Sequence, residues 1–212
     1  MGKGIMINFI KQIKKYKIEP RIIFDIGAYN AKDLQLLGEA FNIAKSDLYA
    51  FEPHPGMIEH CRKRTNNVIN WVISDRDGWT DFNAVDLKAD CNHGTSSLYA
   101  TSRPTFKHYW KMSRIDTLIL RSKLPDTPDV VKIDVEGHSF EVLKGFGNFL
   151  KNVKILHVET ETREIFPGQK LQKDVVSLME NKGFIIIDRK TIGDSGQEDL
   201  IFLRKDLHFE EK

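Results

Sequence analysis

The sequence has little of what marks secreted, membrane-spanning or nucleic-acid-binding proteins. Its 212 residues include only two cysteines, Cys61 and Cys91, which excludes a disulfide framework, and no paired cysteine spacing indicates zinc. No apolar run approaches the length of a membrane span, and the first residues lack the apolar core and cleavage site of a signal peptide. The 32 basic and 30 acidic residues leave a net charge of +2, which does not favour nucleic acid. These absences predict a cytoplasmic protein with no nucleic-acid partner.

Strand and helix patterns alternate along most of the chain. Strands are predicted at 21–27, 48–52, 68–74, 79–82, 128–135 and 153–159, and a terminal hairpin at 184–188 and 200–203. Helices are predicted at 31–42, 55–64, 138–150 and 169–182, with short turns at 114–122. Such alternation implies a parallel sheet with helices on both faces. The predicted fold is α/β and doubly wound: a mostly parallel, seven-stranded Rossmann-like sheet that ends in an antiparallel hairpin.

Two segments stand apart from this alternation. Residues 1–20 carry apolar side chains at helical spacing with lysines between them, which predicts an amphipathic helix. A helix docked on the main domain, 21–212, is favoured over one lying on a membrane or an acidic partner. Residues 86–110 are polar and irregular. Because long loops without regular structure are usually functional or disordered, they are predicted to form a lid over the substrate.

Acidic residues end three predicted strands in succession. Asp25 precedes a loop in which Gly27 is the only glycine, so the Gly-x-Gly-x-x-Gly pattern of dinucleotide sites is missing. An acid at this place would repel a pyrophosphate but accept a hydrogen bond from an ammonium group. Glu52 ends the second strand, the place at which an acid accepts hydrogen bonds from the ribose hydroxyls in nucleotide-binding folds. Asp75, at the end of the third strand, could accept a hydrogen bond from the exocyclic amine of adenine. This combination favours S-adenosylmethionine (SAM), which has an amino acid end and no phosphate.

Six sequence blocks carry a family resemblance. They are Phe24-Asp25-Ile26-Gly27-Ala28, Ala50-Phe51-Glu52-Pro53-His54-Pro55, Val72-Ile73-Ser74-Asp75-Arg76-Asp77-Gly78, Gly94-Thr95-Ser96-Ser97-Leu98, Arg114-Ile115-Asp116-Thr117-Leu118 and Val131-Lys132-Ile133-Asp134-Val135-Glu136-Gly137. In this order they resemble the FkbM-type family of class I SAM-dependent methyltransferases, over about residues 21–160. The chain departs from the family's usual pattern in the first loop, at Tyr29 and Ala31.

The resemblance implies a cofactor site for SAM. In the first loop it assigns Asp25, Gly27 and Ala28 to the methionine end, with Tyr29 and Asn30 beside them. Glu52 and Pro53 are assigned to the ribose, and Ser74 with Asp75 to the adenine. Asp134 is expected to face the cofactor as well as the acceptor.

The reacting end is predicted around the carboxylates that follow the strand at 128–135. Asp134 and Glu136 lie two residues apart and project to the same side if the strand persists. Both, together with His138, are candidate catalytic residues, since a positioned base assists a hydroxyl nucleophile. Ser96, Ser97 and Glu159 are the candidate substrate residues. His93 and His108 are weaker candidate bases.

A metal is not expected, although oxygen ligands are present. Asp134, Glu136 and Glu159 would suit magnesium or calcium, but nothing in their spacing demands an ion. Lys132 is expected to form an ion pair with Glu159 in the adjacent strand.

The function implied is SAM-dependent O-methylation of a hydroxyl on a carbohydrate or secondary metabolite. Two alternatives stay open: N-methylation of a peptide or amide nitrogen, and a SAM-binding module without turnover. The expected partner is a small-molecule, saccharide or peptide acceptor, and the oligomeric state is left undetermined.

Overall fold

The computed structural model describes residues 2–89, 94–100, 103–124 and 127–209. The weaker candidate base His93 and the second cysteine, Cys91, lie outside these ranges. The ten strands are β1 (Ile23–Ile26), β2 (Leu48–Phe51), β3 (Asn67–Ile69), β4 (Val72–Ile73), β5 (Gly78–Val85), β6 (Thr105–Ser113), β7 (Val130–Ile133), β8 (Ile155–Glu161), β9 (Phe184–Ile192) and β10 (Gln197–Arg204). The α-helices are α1 (Gly2–Lys15), α2 (Lys32–Phe41), α3 (Ile58–Arg62), α4 (Ile115–Leu120), α5 (Ser139–Gly145) and α6 (Gln172–Asn181).

A seven-stranded sheet forms the centre of the fold. Its strand order is β3-β2-β1-β7-β8-β10-β9. β1 pairs in parallel with β2 and β7, and β7 pairs in parallel with β8, whereas β10 runs antiparallel to both of its neighbours. The inner strands β1, β2 and β7 are buried along their whole length, which is why they appear in the sequence as continuous apolar runs. The predicted α/β fold class and its antiparallel terminal hairpin are confirmed.

A second, three-stranded sheet corrects two predictions. The strand predicted at 68–74 is broken, because β3 belongs to the large sheet and β4 pairs with β6 in the small one. The predicted irregular segment 86–110 ends early, since β6 starts at Thr105 and pairs with β5 over eight residues. Phe106, Lys107 and Tyr109 in β6 are exposed and only its last two residues are buried, so its apolar alternation is too weak to mark it as a strand.

The helix α1 packs on the main sheet and on α2. Met6, Phe9, Ile13 and Tyr16 enter the hydrophobic core on this face, while Ile7 is 48% exposed. Of the apolar positions whose spacing predicts this helix, Ile13 and Tyr16 are buried and Ile10 is partly buried, whereas Met6 and Phe9 take the place of Ile7 in the core. In the described residues, none of the helices has the length and apolar character needed to cross a membrane.

The loop after β1 is brought against the loop after β7 at a glycine. Gly27 has φ +81°, and a Cβ at this position would lie 1.8 Å from the carbonyl oxygen of Asp134. Only glycine can occupy such a place, since it has no Cβ and adopts positive φ readily. The close approach sets the two carboxyl-terminal strand ends side by side, at the edge where open α/β sheets bind ligands.

Candidate functional site

Two adjoining cavities lie at this edge of the sheet. The first, here called the cofactor cavity, lies over the ends of β1 and β2 and is lined by residues that include Gly27, Tyr29, Glu52 and Pro53. The second, here called the acceptor cavity, has a volume of about 950 Å³ and lies over the ends of β7, β8 and β10. Asp134 lines both cavities, so two molecules bound side by side would meet at its carboxylate.

Glu52 organises the wall of the cofactor cavity. Its carboxylate accepts hydrogen bonds from the backbone N–H of Tyr29 at 2.6 Å and of His54 at 2.7 Å. Burial raises the pKa of this carboxyl to about 8, against the lowering effect of the two N–H groups. The first loop and the loop after β2 are thus joined through one side chain, which holds the acid where a ribose would bind.

Asp25 lies beneath the site rather than in its wall. Its side chain is wholly buried, and Lys132 Nζ is 3.5 Å from Oδ1. By hydrogen-bond geometry neither carboxylate oxygen has a partner among the described residues. Burial raises its pKa to about 6, with the charge of Lys132 opposing that rise. Asp25 is therefore placed to fix Lys132 electrostatically, and its contact with the methionine end of the cofactor stays a prediction.

The opposite end of the cofactor cavity is apolar and aromatic. Trp71, Val72, Ile73 and Phe82 line it together with His138, a surface suited to a flat heterocycle. His138 Nε2 lies 2.9 Å from the hydroxyl of Ser74, and burial lowers its pKa to about 4. The ring thus faces the cofactor cavity as a neutral imidazole, an arrangement that favours a binding role over the predicted catalytic one.

Several residues predicted to bind the cofactor stand behind this wall. Ala28 and Ser74 are buried, and the side chain of Asn30 accepts a hydrogen bond from the backbone N–H of Lys32. Asp75 forms a 2.7 Å ion pair with Lys144, and a hydrogen bond from that lysine lowers its pKa. Their direct contact with a cofactor stays a prediction.

Lys132 is held by three carboxylates on the floor of the acceptor cavity. Its ammonium nitrogen lies 3.0 Å from Asp134, 3.5 Å from Asp25 and 3.6 Å from Asp33. The prediction that Lys132 forms an ion pair with a neighbour is confirmed, but Glu159 is not the partner, because that carboxylate accepts a 2.9 Å hydrogen bond from Gln197. The three acids outweigh the effect of burial and raise the pKa of Lys132, which stays charged.

Glu136 and Glu159 face each other across the acceptor cavity. The Gln197 amide donates to both, at 2.9 Å to Glu159 and 3.4 Å to Glu136. Burial and the charge of Asp134 raise the pKa of each carboxyl. The acceptor cavity therefore brings together several carboxyl groups with few cations beside them. Their oxygen atoms readily accept hydrogen bonds from hydroxyl groups.

The segment 94–100 closes over the loop that carries Glu136. The Ser97 hydroxyl donates to the carbonyl oxygen of Glu136 at 2.7 Å, and Glu136 has a φ of +49°. Ser96 accepts from the backbone N–H of Val85 at 3.0 Å and lines the cofactor cavity. Of the two predicted substrate serines, Ser97 is 1% exposed and holds the loop in shape, and its contact with a substrate stays a prediction.

Some residues of the site were not predicted from the sequence. Asp33, Gln197 and Asp199 line the acceptor cavity, and His54 and Trp71 line the cofactor cavity. Asp199 had a signal, since it is an acid at the start of the apolar run of β10. Because β10 is antiparallel to β8, its polar residues reach the site from the beginning of the strand and not from its end.

The residues of the cofactor cavity fit SAM. Glu52 offers acceptors for two ribose hydroxyls, the apolar end suits adenine, and the glycine at 27 allows close approach of a ligand to the backbone. The glycines of a phosphate-binding loop are missing from the described first loop, where Tyr29 and Lys32 take the later glycine positions of that pattern.

Comparison with known proteins agrees with this geometry. A family model described as the methyltransferase FkbM domain matches residues 25–186. The hexuronic acid methyltransferase AglP of Haloferax volcanii is 27% identical over 155 residues, which cover 67% of this chain and 62% of that protein. The 2-O-methyltransferase NoeI of Sinorhizobium fredii is 22% identical over 174 residues, which cover 74% of this chain and 70% of that protein.

Solved structures share the fold at low sequence identity. The methyltransferase FkbM from Methylobacillus flagellatus superposes with a TM-score of 0.56 at 12% identity, covering 87% of this chain and 44% of that one. The magnesium protoporphyrin IX methyltransferase ChlM from Synechocystis, with bound SAM, gives a TM-score of 0.51 at 13% identity over 95% of this chain and 78% of that one. Together with the family match over most of its length, these findings establish that the chain belongs to the FkbM family of SAM-dependent methyltransferases.

Proposed function

We propose that this protein transfers a methyl group from SAM to a hydroxyl group of a carbohydrate. The observation that carries the proposal is the position of Asp134, which lines both the cofactor cavity and the acceptor cavity. When bound, SAM supplies a sulfonium-activated methyl carbon that bonds to the acceptor oxygen while the electron pair of the broken carbon–sulfur bond stays on sulfur.

The chain's own residues position the acceptor. Asp134 accepts the hydrogen bond of the reacting hydroxyl, directs its oxygen toward the cofactor cavity and takes up its proton as the new carbon–oxygen bond forms, with Lys132 fixing the carboxylate at 3.0 Å. Placement of this kind removes much of the entropic cost of bringing two molecules together. Tyr99 and Phe166 stack at 5.3 Å between ring centroids beside Gly137, and they help to exclude water from the loop that follows Asp134.

The acidic lining supports a carbohydrate acceptor. Glu136, Glu159 and Asp199 present oxygen acceptors at the cavity wall, and a sugar brings several hydroxyl donors to match them. AglP, named for a hexuronic acid, and NoeI, named as a 2-O-methyltransferase, agree with an oxygen nucleophile on a sugar. The chain spans 62% of the length of AglP, so the sugar itself is not transferred from that relative.

The test combines cofactor binding with product analysis. Titration calorimetry is expected to show binding of SAM and none of NAD⁺, and mass spectrometry of a saccharide panel incubated with SAM to show products heavier by one methylene. Asp134→Asn is expected to lower kcat by about 10²-fold or more while the Kd for SAM changes little. Asp81→Asn, an exposed carboxylate 3.9 Å from Lys107, is the matched control and should keep kcat unchanged.

Three results would contradict this proposal. They are the absence of SAM binding, full turnover in Asp134→Asn, and methylation restricted to peptide amides in a panel that contains both acceptor classes. The last result would assign the same cofactor site to N-methylation.

A further inference from the structure

The acceptor cavity holds more acidic side chains than its cations neutralise. Among the described residues, the basic side chains that line it are Lys132 and Arg103, and Lys132 is already shared among three carboxylates. The acidic residues in the lining are Asp33, Asp134, Glu136, Glu159, Asp194 and Asp199. Like charges in a partly buried site disfavour one another's ionisation, so a bound cation would stabilise the ionised form of these carboxylates.

Three of these acids converge on one point. Asp134, Glu136 and Glu159 each offer a carboxylate oxygen, and the three oxygens lie within 4.8 Å of one another. Ligands on opposite sides of a divalent cation are about 4–5 Å apart when each metal–oxygen bond is about 2.0–2.6 Å. Gln197 donates to both Glu136 and Glu159, so an outer partner already orients two of the three carboxylates.

Asp199 gives an independent indication of a ligand at this place. It is 5% exposed, pairs with Glu159 in the β8–β10 register and lines the same cavity. Oδ1 lies 3.3 Å from His157 Nε2, whereas Oδ2 has no hydrogen-bond partner among the described residues. A buried carboxylate oxygen without a donor is costly. The water ligands of a hydrated cation are donors of the missing kind.

We propose that Asp134, Glu136 and Glu159 bind a divalent cation and that Asp199 accepts a hydrogen bond from one of its water ligands. Carboxylate oxygens alone select hard ions, so the cation is Mg²⁺, Mn²⁺ or Ca²⁺ rather than a thiolate- or imidazole-preferring metal. The inference rests on the proposed function in one respect: the ion orients the acceptor by binding its oxygen atoms. The acceptor class is then narrowed to compounds with two neighbouring oxygen atoms, such as a sugar diol.

The test uses Mn²⁺ as the probe. The full chain is treated with a chelator, freed of it, and titrated with MnCl₂ while bound ion is counted by calorimetry and electron paramagnetic resonance. We expect one Mn²⁺ per chain, displaced by Mg²⁺ or Ca²⁺. The double variant Glu136→Gln/Glu159→Gln should bind Mn²⁺ at least about tenfold more weakly, whereas Glu180→Gln, an exposed glutamate on α6, should bind as the wild type does.

Thermal unfolding separates loss of the site from loss of the fold. Glutamine keeps the shape of glutamate and removes like-charge repulsion, so the melting temperature of the double variant without metal should equal or exceed that of the wild type. Added Mn²⁺ should raise the melting temperature of the wild type only. The inference is overturned by the absence of saturable binding at millimolar Mn²⁺, or by wild-type Mn²⁺ affinity in a folded double variant.

Failure of the cation site and failure of the proposed function give different results. SAM binding to the chelated protein without stoichiometric Mn²⁺ binding would remove the cation site and leave the function standing. Mn²⁺ binding without SAM binding or methyl transfer would leave the cation site standing and remove the proposed function.

Discussion

At the scale of single residues, Glu52 joins the two loops that form the wall of the cofactor cavity. It is 6% exposed, and burial raises its pKa to about 8. The carboxylates of Asp25 and Asp134 raise that pKa further, while the N–H groups of Tyr29 and His54 lower it. The free protein therefore holds a Glu52 that is partly protonated at neutral pH, whereas hydroxyl donors of a ribose prefer the ionised acid.

Because burial favours the protonated acid and the ribose favours the ionised one, the affinity for SAM should depend on pH. Since the ionised form binds more tightly, binding releases a proton, and the affinity should rise with pH up to about 8 and then level off. Below the pKa of 8 the expected slope approaches about tenfold per pH unit. Calorimetry between pH 6.5 and 9 measures the slope, and Glu52→Gln, which keeps every other titrating group, should bind more weakly without this component. A wild-type profile as flat as that of the variant would show that Glu52 is ionised throughout.

What the sequence can predict about single residues follows from strand direction. Glu52 and Asp134 come directly after parallel strands, and the rule that such ends meet at one edge locates them. Ser97 and Asp25 were expected at the ligand, but both side chains are buried in this structure. Nothing in the sequence indicates how deeply a polar side chain at a strand end or in a loop is buried. Gln197 and Asp199 enter from an antiparallel strand, to which the same rule does not apply.

At the scale of elements, α1 forms part of the site as well as part of the core. Ile5 and Met6 line the acceptor cavity, and the ring of Phe9 lies 5.6 Å from that of His157 on β8. The amphipathic pattern predicted the helix but not the strand that it covers, because the contact surface lies about 150 residues further along the chain. The break between β3 and β4 was likewise invisible, since the apolar run continues through Trp71 while the strands join different sheets.

The packing of α1 predicts a large difference between two neighbouring positions. Phe9 is fully buried and Ile7 is 48% exposed. Phe9→Ala should lower the free energy of unfolding by about 3–5 kcal/mol, the range for large-to-small core substitutions. Ile7→Ala should change it by less than about 0.5 kcal/mol. Urea denaturation followed by circular dichroism compares the two; equal stabilities would mean that α1 does not unfold together with the sheet.

At the scale of the whole molecule, charge is distributed unevenly. The chain carries a net charge of only +2, yet a group of acids that includes Glu52, Asp134, Glu136, Glu159 and Asp199 lies at one edge of the sheet, while α1 presents lysines on its exposed face. The near-balance of basic and acidic residues in the composition gave no indication of this uneven distribution. Alternation of elements predicted the sheet that collects the acids, but the division of the site into two cavities depends on loop packing at Gly27 and Gly137, which no periodicity describes.

Binding of SAM at this edge should stabilise the whole chain, because the cofactor cavity is formed by the ends of β1, β2 and β7 together with residues of the small sheet, and exists only when both sheets are folded. A ligand at about 100 times its Kd adds about 2.7 kcal/mol to the free energy of unfolding, and for a chain of this size that corresponds to a rise of roughly 5–10 °C in Tm. Differential scanning calorimetry with increasing SAM should show this rise, with a smaller one for Glu52→Gln at the same SAM concentration. NAD⁺ at matched concentration should leave Tm unchanged, since Tyr29 and Lys32 in the described first loop stand where a pyrophosphate site would have glycines. A rise with NAD⁺ equal to that with SAM would mean that the cavity does not distinguish the two, and the assignment of its cofactor from Glu52 and Gly27 would be wrong.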